Sequence, residues 1–100
     1  MNKGDNMTIL EEAQKLTSET RQQVYGHPSE DFKRVTTMAQ PILDSSLNPE
    51  LKHALYMIQV KIARLLNTPD HRDSIVDIAG YANTYAMIID SIKGLDNGQS

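Results

Sequence analysis

The chain has 100 residues, a formal net charge of −3 and no cysteine, which indicates one small domain without disulfides, thiolate metal sites or a thiol nucleophile. The mild acidity argues against a general nucleic-acid-binding role, and no apolar run reaches the roughly 20 residues of a membrane span. Because the polar N-terminus also lacks the apolar segment of a signal peptide, we expect a cytoplasmic protein with neither nucleic-acid nor membrane partners.

Residues 8–94 are predicted to form a single helical domain. The short segments on either side of it are expected to be a flexible arm (1–7) and a polar tail (95–100). Two apolar helical patterns meet across the turn at residues 67–69, which predicts an antiparallel helical hairpin. The fold class that we expect is all-α, with three to four helices around this hairpin.

The first helix is predicted from a capping box, in which Thr8 caps the helix and Glu11 reaches back to the cap. It should run from about Ile9 to Val24 and end at Gly26, which suits the left-handed position after a helix. Its apolar stripe is thin towards the C-terminal end, so we expect it at the surface or in polar contact with a partner.

The second helix is predicted to follow Pro28, with Ser29 as its N-cap. Its apolar residues recur at spacings of three and four up to Leu43. Pro41 falls inside this pattern, so a kink or break is expected there.

The third helix should begin at Pro49, because Asn48 is a good cap and proline suits the first helical position. A continuous apolar stripe carries it to about Leu66. The fourth helix begins between Pro69 and Asp73 in this prediction, and it ends at Gly94. The candidates for its cap are Thr68, Asp70 and Asp73.

The fourth helix is apolar over much of its circumference, which indicates a central helix or a contact with another subunit. We therefore expect a homo-oligomer. The residues expected to be buried by the partner are Tyr81, Tyr85, Ile88 and Ile92.

Charged residues gather at the junction of the hairpin. Lys61 and Arg64 are three positions apart on one helix, and Asp73 and Asp77 are four apart on the next. One interpretation is a clamp for phosphate, because arginine offers a planar fork and lysine a point charge. The alternative is structural: the cations cover apolar surface with their stems and pair with the aspartates. Tyr81 follows Asp77 by one turn and is expected either to stack on a base or to pack in the core.

The two aspartates also allow a metal hypothesis. Asp73 and Asp77 could share Mg²⁺, which takes one or two carboxylates together with waters and substrate phosphates. The alternative is that Asp73 provides favourable charge at the helix N-terminus and Asp77 pairs with Lys61.

Arg21, Tyr25 and His27 surround the turn after the first helix. This composition is typical of a ligand-binding loop, and also of a helix end that carries a packed tyrosine. The chain contains no zinc-binding histidine pair, P-loop, GxGxxG or GxSxG motif.

Four stretches are distinctive when they are taken together: residues 9–13, Arg21 with 25–32, residues 61–64 and residues 71–81. In these stretches the chain resembles a family of small, uncharacterised phage and prophage proteins that is classed as a domain of unknown function. The resemblance covers about residues 8–92. It implies a phage-type protein in the cytoplasm of the host cell, and it implies no activity.

The last helix is also similar, more loosely, to MazG-like nucleotide pyrophosphohydrolases. That resemblance implies an all-α, oligomeric, magnesium-dependent enzyme that acts on nucleoside triphosphates, with Asp73 and Asp77 as the acidic pair. The third helix departs from the pattern, because Lys61 and Arg64 stand where such enzymes carry a Glu-Glu-x-x-Glu cluster. The double glutamate of this chain, at residues 11–12, lies in the first helix instead.

We expect the chain to bind a nucleotide or another phosphate-bearing small molecule without catalysis, and in a phage context to sequester a host nucleotide signal as an anti-defence protein. The alternatives are a MazG-like enzyme, which would need Mg²⁺ at Asp73 and Asp77, and a protein–protein interaction module. No cofactor is expected outside the enzymatic hypothesis. The expected ligand-binding residues are Arg21, Tyr25, His27, Lys61, Arg64, Asp73, Asp77 and Tyr81.

Overall fold

A computed structural model describes residues 7–94, apart from the side chain of Thr20, and all regular structure in this range is helical. The all-α prediction is therefore confirmed. The elements in chain order are α1 (Ile9–Lys15), a π-helical segment (Leu16–Thr20), α2 (Arg21–Tyr25), α3 (Pro28–Asp44), α4 (Pro49–Asn67) and α5 (Arg72–Lys93). The predicted N-terminal arm, except for Met7, and the predicted C-terminal tail lie outside the described residues. Within the described range, no helix is both long enough and apolar enough to cross a membrane.

The hairpin of α4 and α5 is the largest helix–helix contact of the fold. The loop 68–71 joins the two helices, and an ion pair between Lys61 and Asp77 links them near the loop, as an antiparallel hairpin requires. Helix α3 packs on α4, and α2 contacts both of them. The fully buried apolar residues among those described are Ala39, Leu51, Ala54 and Ala63. Because most of these are alanines, the helices approach closely around a thin core.

Helix α1 extends away from this body, because it contacts only the π-helical segment that follows it. Its predicted capping box is present: Thr8 Oγ1 accepts a hydrogen bond from the Glu11 backbone at 3.1 Å, and Glu11 Oε1 accepts one from the Thr8 backbone at 3.1 Å. The apolar side chains of Ile9 and Leu10 are 88% and 77% exposed. The cap rather than tertiary packing therefore determines where α1 begins.

The first helical region contains an interruption that the sequence pattern did not predict. Backbone helix continues to Tyr25, one residue past the predicted end, but it passes through the π-helical segment. Thr17 Oγ1 donates to the Ala13 carbonyl at 2.8 Å and Ser18 Oγ donates to the Gln14 carbonyl at 2.7 Å. Such hydroxyls compete with the backbone for carbonyl acceptors, which is why a run of Thr and Ser favours a local change of helix type.

One prediction for α3 is wrong, and so is one of the two alternatives given for Pro41. The helix begins at Pro28, and its N-cap is His27, whose Nδ1 accepts from the Ser29 backbone at 3.2 Å; Ser29 is not the cap. Pro41 does not break the helix, which continues to Asp44. Proline removes one backbone donor so close to the C-terminal end that the remaining turn is retained.

The ends of α4 and α5 follow capping chemistry. Asn48 Oδ1 accepts from the Glu50 backbone at 2.8 Å, which confirms the predicted start of α4. Helix α5 begins at Arg72 with His71 at the N-cap position, which none of the three predicted cap residues occupies. Gly94 ends α5 with a φ of 75°, as predicted.

Helix α5 contacts α4 and no other helix of the described chain. Its inner side, which faces α4, carries the buried Ser74. Three residues predicted to meet another subunit, namely Tyr81, Tyr85 and Ile88, share this side and are half-buried. The fourth residue, Ile92, lies beyond the region that α4 covers and stays exposed. The side of α5 that was assigned to a partner subunit therefore packs within the chain.

Candidate functional site

Tyr25 lies between two arginines that come from different helices. The guanidinium carbon of Arg21 is 4.7 Å from the centroid of the Tyr25 ring, and that of Arg64 is 4.2 Å from the same centroid. Both distances are those of cation–π contacts. The His71 ring meets Tyr25 edge-on, with centroids 5.8 Å apart and an interplanar angle of 86°. Arg21, Tyr25 and Arg64 together are called the two-arginine site below.

A hydrogen-bonded clasp holds the end of α2 against the hairpin loop. Asn67 Nδ2 donates to the Val24 carbonyl at 2.8 Å, and Thr68 Oγ1 donates to the same carbonyl. Gly26 follows with a φ of 80°, and a Cβ atom at this position would lie 3.0 Å from Asn67 Oδ1. Glycine is needed here both for the left-handed backbone and for the close approach of Asn67. The clasp thereby fixes Tyr25 beneath Arg64.

The arginines of the two-arginine site have no ion-pair partner among the described residues. Within residues 7–94, neither Arg21 nor Arg64 forms an ion pair with a carboxylate. The Nε atom of Arg64 is buried and has no hydrogen-bond partner among the described atoms. The two guanidinium carbons are no more than about 9 Å apart, so the charges repel each other. An anion that contacts both guanidinium groups beside the edge of the Tyr25 ring would reduce the repulsion and give the buried donor an acceptor.

Two adjoining cavities open next to these arginines. Their volumes are about 270 Å³ and about 330 Å³. Arg21, Asp31 and Phe32 line both cavities, whereas Tyr25 lines the first and Arg64 the second. Taken together, the two cavities reach the range that is typical of small-molecule sites.

Lys61 and Arg64 were predicted to act together, but the structure gives them different neighbours. Lys61 Nζ lies 3.0 Å from Asp77 Oδ2, and the Lys61 side chain is only 13% exposed. Arg64 contacts Tyr25 instead. The structural alternative for Lys61 and Asp77, an ion pair across the hairpin, is therefore present. Tyr81 lines a surface depression together with Asp77.

Comparison with known proteins places the chain in a family. The domain described as a domain of unknown function, DUF6378, matches residues 8–89. The chain belongs to the DUF6378 family. This confirms the predicted resemblance to an uncharacterised phage domain.

Two curated relatives of this DUF6378 chain are phage proteins. The Gene 55 protein of Mycobacterium phage D29 is 42% identical over 81 residues, covering 81% of this chain and 53% of the relative. The Gene 55 protein of Mycobacterium phage L5 is 38% identical over 77 residues, covering 76% and 49% respectively. The chain thus spans about half the length of the curated relatives that it matches. No solved structure matches it.

The remaining predicted site residues of the DUF6378 chain lie away from the two-arginine site or have other contacts. Asp73 is exposed in the first turn of α5. Within residues 7–94, no group of three or more His, Asp or Glu side chains is arranged to hold a metal ion. His27 uses Nδ1 to cap α3, so that nitrogen acts within the chain.

Sequence reasoning missed Asp31 and Phe32, which line both cavities in this DUF6378 domain. Acidic residues are common near the start of a helix, so Asp31 did not stand out in the sequence. A further pattern was available: Asp31 precedes Val35 by one helical turn and Ala39 by two, so it shares the buried side of α3. An acidic residue on an apolar helix face is unusual, and such a residue is a candidate for a functional role.

Proposed function

We propose that the chain binds a nucleotide, or another phosphate-bearing small molecule, at the two-arginine site. One observation carries the proposal: Arg21 and Arg64 approach the same Tyr25 ring, and neither has a carboxylate partner within residues 7–94. Arginine residues in such an arrangement attract a multivalent anion, because the planar guanidinium matches phosphate oxygens with paired N–H donors.

The cation–π contacts with Tyr25 occupy neither arginine with a carboxylate, so N–H donors stay available. A guanidinium carries five such donors, and contact with one aromatic ring does not use all of them. Arg64 is half-buried, and its partnerless Nε adds a donor whose desolvation is uncompensated until an anion arrives. Arg21 is exposed and would contact the ligand from the solvent side.

In this proposal the chain binds its ligand and releases it unchanged. The positive charge that would neutralise the phosphate comes from side chains of the chain itself, so that binding requires no metal ion. The phage origin of both curated relatives is compatible with sequestration of a host nucleotide signal. That biological role extends the binding proposal and depends on it.

Calorimetric titration of the purified chain tests the proposal. The probes are inorganic phosphate, the four nucleoside triphosphates and a set of cyclic nucleotides, each measured in the presence of a metal chelator. Mass spectrometry of small molecules released by denaturing the protein adds an unbiased search for the natural ligand. We expect at least one phosphate-bearing compound to bind with chelator present.

Arg64→Ala is the decisive variant. The loss of charged hydrogen bonds worth roughly 1.5–3 kcal/mol should weaken binding about 10- to 100-fold. Lys33→Ala is the matched control, because it removes an exposed cation from α3 that lines neither of the two cavities. Full affinity in a folded Arg64→Ala protein, or no binding of any phosphate compound to the native chain, would contradict the proposal.

A further inference from the structure

Asp31 is a buried carboxylate whose hydrogen bonding is incomplete. Asp31 lies near the start of α3 and is only 9% exposed. Its Oδ1 has no hydrogen-bond partner among the described residues. A buried carboxylate oxygen without a partner costs free energy that the chain does not recover by itself. Asp31 lines both cavities beside the two-arginine site. This location indicates that a bound molecule supplies the missing partner.

The charges of the site restrict which part of a ligand can meet Asp31. An ionised carboxylate accepts hydrogen bonds and cannot donate them, and it repels phosphate. Arg21 and Arg64 attract phosphate and can only donate. A molecule that satisfies both must carry its anionic group towards the arginines and neutral N–H or O–H donors towards Asp31.

Phe32 adds an aromatic surface next to this carboxylate. Its side chain is 68% exposed although it lines both cavities, so a ligand can cover it. Stacking on an aromatic side chain is open to every base, because each base has a π face. Phe32 would therefore add affinity, and Asp31 would add selectivity.

We propose that Asp31 selects a ligand with two adjacent hydrogen-bond donors, and this inference depends on the proposed binding of phosphate-bearing molecules. Two parts of a nucleotide have this chemistry. The guanine edge presents an N1–H next to an N2 amine, and the ribose presents two neighbouring hydroxyls. Either pair matches the two oxygens of one carboxylate.

Titration with a panel of monophosphates shows whether the guanine edge or the ribose supplies the two donors to Asp31. The panel is GMP, IMP, AMP, dGMP and inorganic phosphate. If Asp31 binds the guanine edge, GMP and dGMP should bind roughly 10- to 100-fold more tightly than IMP and AMP, because each lost charged hydrogen bond is worth roughly 1.5–3 kcal/mol. If Asp31 binds the ribose, GMP, IMP and AMP should bind alike and dGMP should be weaker by a similar factor.

Asp31→Asn completes the experiment. It preserves the shape of the side chain but replaces one acceptor by a donor, so it should remove the selectivity while inorganic phosphate still binds. Glu30→Gln is the matched control, since it makes the same change at an exposed neighbour that lines neither of the two cavities. Equal binding of all five probes, unaltered in a folded Asp31→Asn protein, overturns the role of Asp31 and leaves phosphate binding intact. Absence of binding by every probe overturns both proposals.

An independent observation concerns the outer side of α5, opposite the side that packs on α4. Val76 and Met87 are 53% and 61% exposed there, and Ala79 and Gly80 between them are exposed as well. A Cβ atom at Gly80 would meet nothing within 4 Å, so no packing among the described residues requires a glycine at this position. The middle of the outer side thus carries small and apolar side chains around the exposed Asn83, whose Nδ2 donates to Met87 Sδ at 3.7 Å. The small side chains permit close approach of another helix.

The ends of the same surface carry opposite charges. Arg72 and Asp90 lie at the same angular position on the helix, about 40° from Val76 and about 60° from Met87, and neither forms an ion pair within residues 7–94. Both are nine residues from Tyr81. If two α5 helices pack antiparallel with their twofold axis near residue 81, Arg72 therefore meets Asp90 of the partner subunit at both ends.

We infer that a second copy of the chain covers this surface, with the two α5 helices antiparallel. Sedimentation over a range of micromolar concentrations should give twice the 11.2 kDa mass of the chain. Arg72→Asp should place two acidic groups together and weaken association at least tenfold, and so should Asp90→Arg. The double variant exchanges the charges and should restore the dimer. A native chain that stays monomeric, or a double variant as weak as either single variant, overturns the inference.

Discussion

The guanidinium of Arg64 on α4 lies 4.2 Å from the ring centroid of Tyr25 on α2, and this contact connects the end of the N-terminal helical region to the hairpin. Arg21 approaches the same ring from its own helix. The aromatic ring thereby reduces the cost of holding two cations near each other, because each cation gains an attractive contact. The Tyr25 side chain therefore contributes both to the site and to the packing of α2.

Tyr25→Leu should reduce both stability and binding. A cation–π contact is worth about 0.5–2 kcal/mol, so loss of two of them should lower the free energy of unfolding by about 1–4 kcal/mol. Phosphate binding should weaken as well, since the arginines lose their support. Tyr25→Phe keeps the ring and should retain nearly the full free energy of unfolding and nearly the full phosphate affinity. Urea unfolding and calorimetric titration of the two variants measure the effects. Equal stability and equal phosphate affinity in Tyr25→Leu and Tyr25→Phe would exclude this role of the ring.

The Lys61–Asp77 ion pair should contribute to stability and not to ligand binding. The pair is only partly buried, so we expect a coupling energy of about 1 kcal/mol in a double-mutant cycle with Lys61→Met and Asp77→Asn. Methionine retains the apolar stem that covers the helix surface. Phosphate affinity should be unchanged in Lys61→Met. A tenfold loss of affinity in a folded Lys61→Met protein would instead restore Lys61 to the binding site.

Local sequence chemistry predicted much of the fold. The caps at Thr8 and Asn48 and the glycines at the ends of α2 and α5 are local features, because each requires only the residue type and its close neighbours. The capping role of His27 was missed because imidazole is an uncommon cap, whereas Ser29 is a common one.

The candidate site was predicted only in part, because its contacts join separate helices. Arg21, Tyr25 and Arg64 were named from the sequence, but in two different groups, and nothing in helical spacing indicates that they meet. Helical spacing placed Lys61 and Arg64 together, since residues three apart are neighbours on a helix. At 3.6 residues per turn, however, the two side chains leave the helix about 60° apart. This angle is enough for Lys61 to face α5 while Arg64 faces α2.

Gly26, next to the clasp at Val24, should contribute to stability in two ways: through its close contact with Asn67 and through its left-handed backbone conformation. Gly26→Ala should destabilise the chain, because an L-residue at positive φ costs roughly 1–2 kcal/mol and its Cβ would also crowd Asn67. Gly94→Ala is the matched control: its φ is also positive, but no atom that packs on it from residues 7–93 lies within 4 Å of a Cβ there. The loss of unfolding free energy should be larger at Gly26. Equal losses at the two glycines would refute a contribution from the contact with Asn67.

The capping box should make α1 sensitive to acid. Hydrogen bonds from the backbone and then the hydroxyl of Thr8 lower the pKa of Glu11 below its ordinary value of 4.5. A lowered folded-state pKa means that the cap stabilises the helix above about pH 4.5 and that this contribution is lost as pH falls through the folded pKa. NMR titration of the Glu11 carboxylate should give a lowered pKa in the native chain and in Thr8→Ser. Thr8→Ala removes the hydroxyl and keeps the backbone donor, so it should move the pKa only part of the way back to the ordinary value. A pKa in Thr8→Ala equal to that of the native chain would rule out the hydroxyl as a cause.

Sequestration and hydrolysis predict different fates for a bound nucleotide. A pyrophosphohydrolase needs Mg²⁺, because the metal neutralises charge that develops on the phosphates and positions the attacking water. At the two-arginine site, side chains supply positive charge directly, and Asp77 already pairs with Lys61. We therefore expect nucleotides to bind in the presence of chelator and to be recovered intact after heat denaturation of the protein.

The measurement is incubation with nucleoside triphosphates and cyclic nucleotides, with and without Mg²⁺, followed by chromatography of the products. Asp77→Asn should lower stability through loss of the ion pair and leave the recovered nucleotide unchanged. Asp70→Asn is the control, because it removes an exposed carboxylate from the hairpin loop. Repeated magnesium-dependent release of pyrophosphate, lost in Asp77→Asn and kept in Asp70→Asn, would establish the hydrolase instead. In that case the carboxylate at Asp77 would have to exchange its bond to Lys61 for the metal during each turnover, and Lys61→Met should then raise the affinity for Mg²⁺.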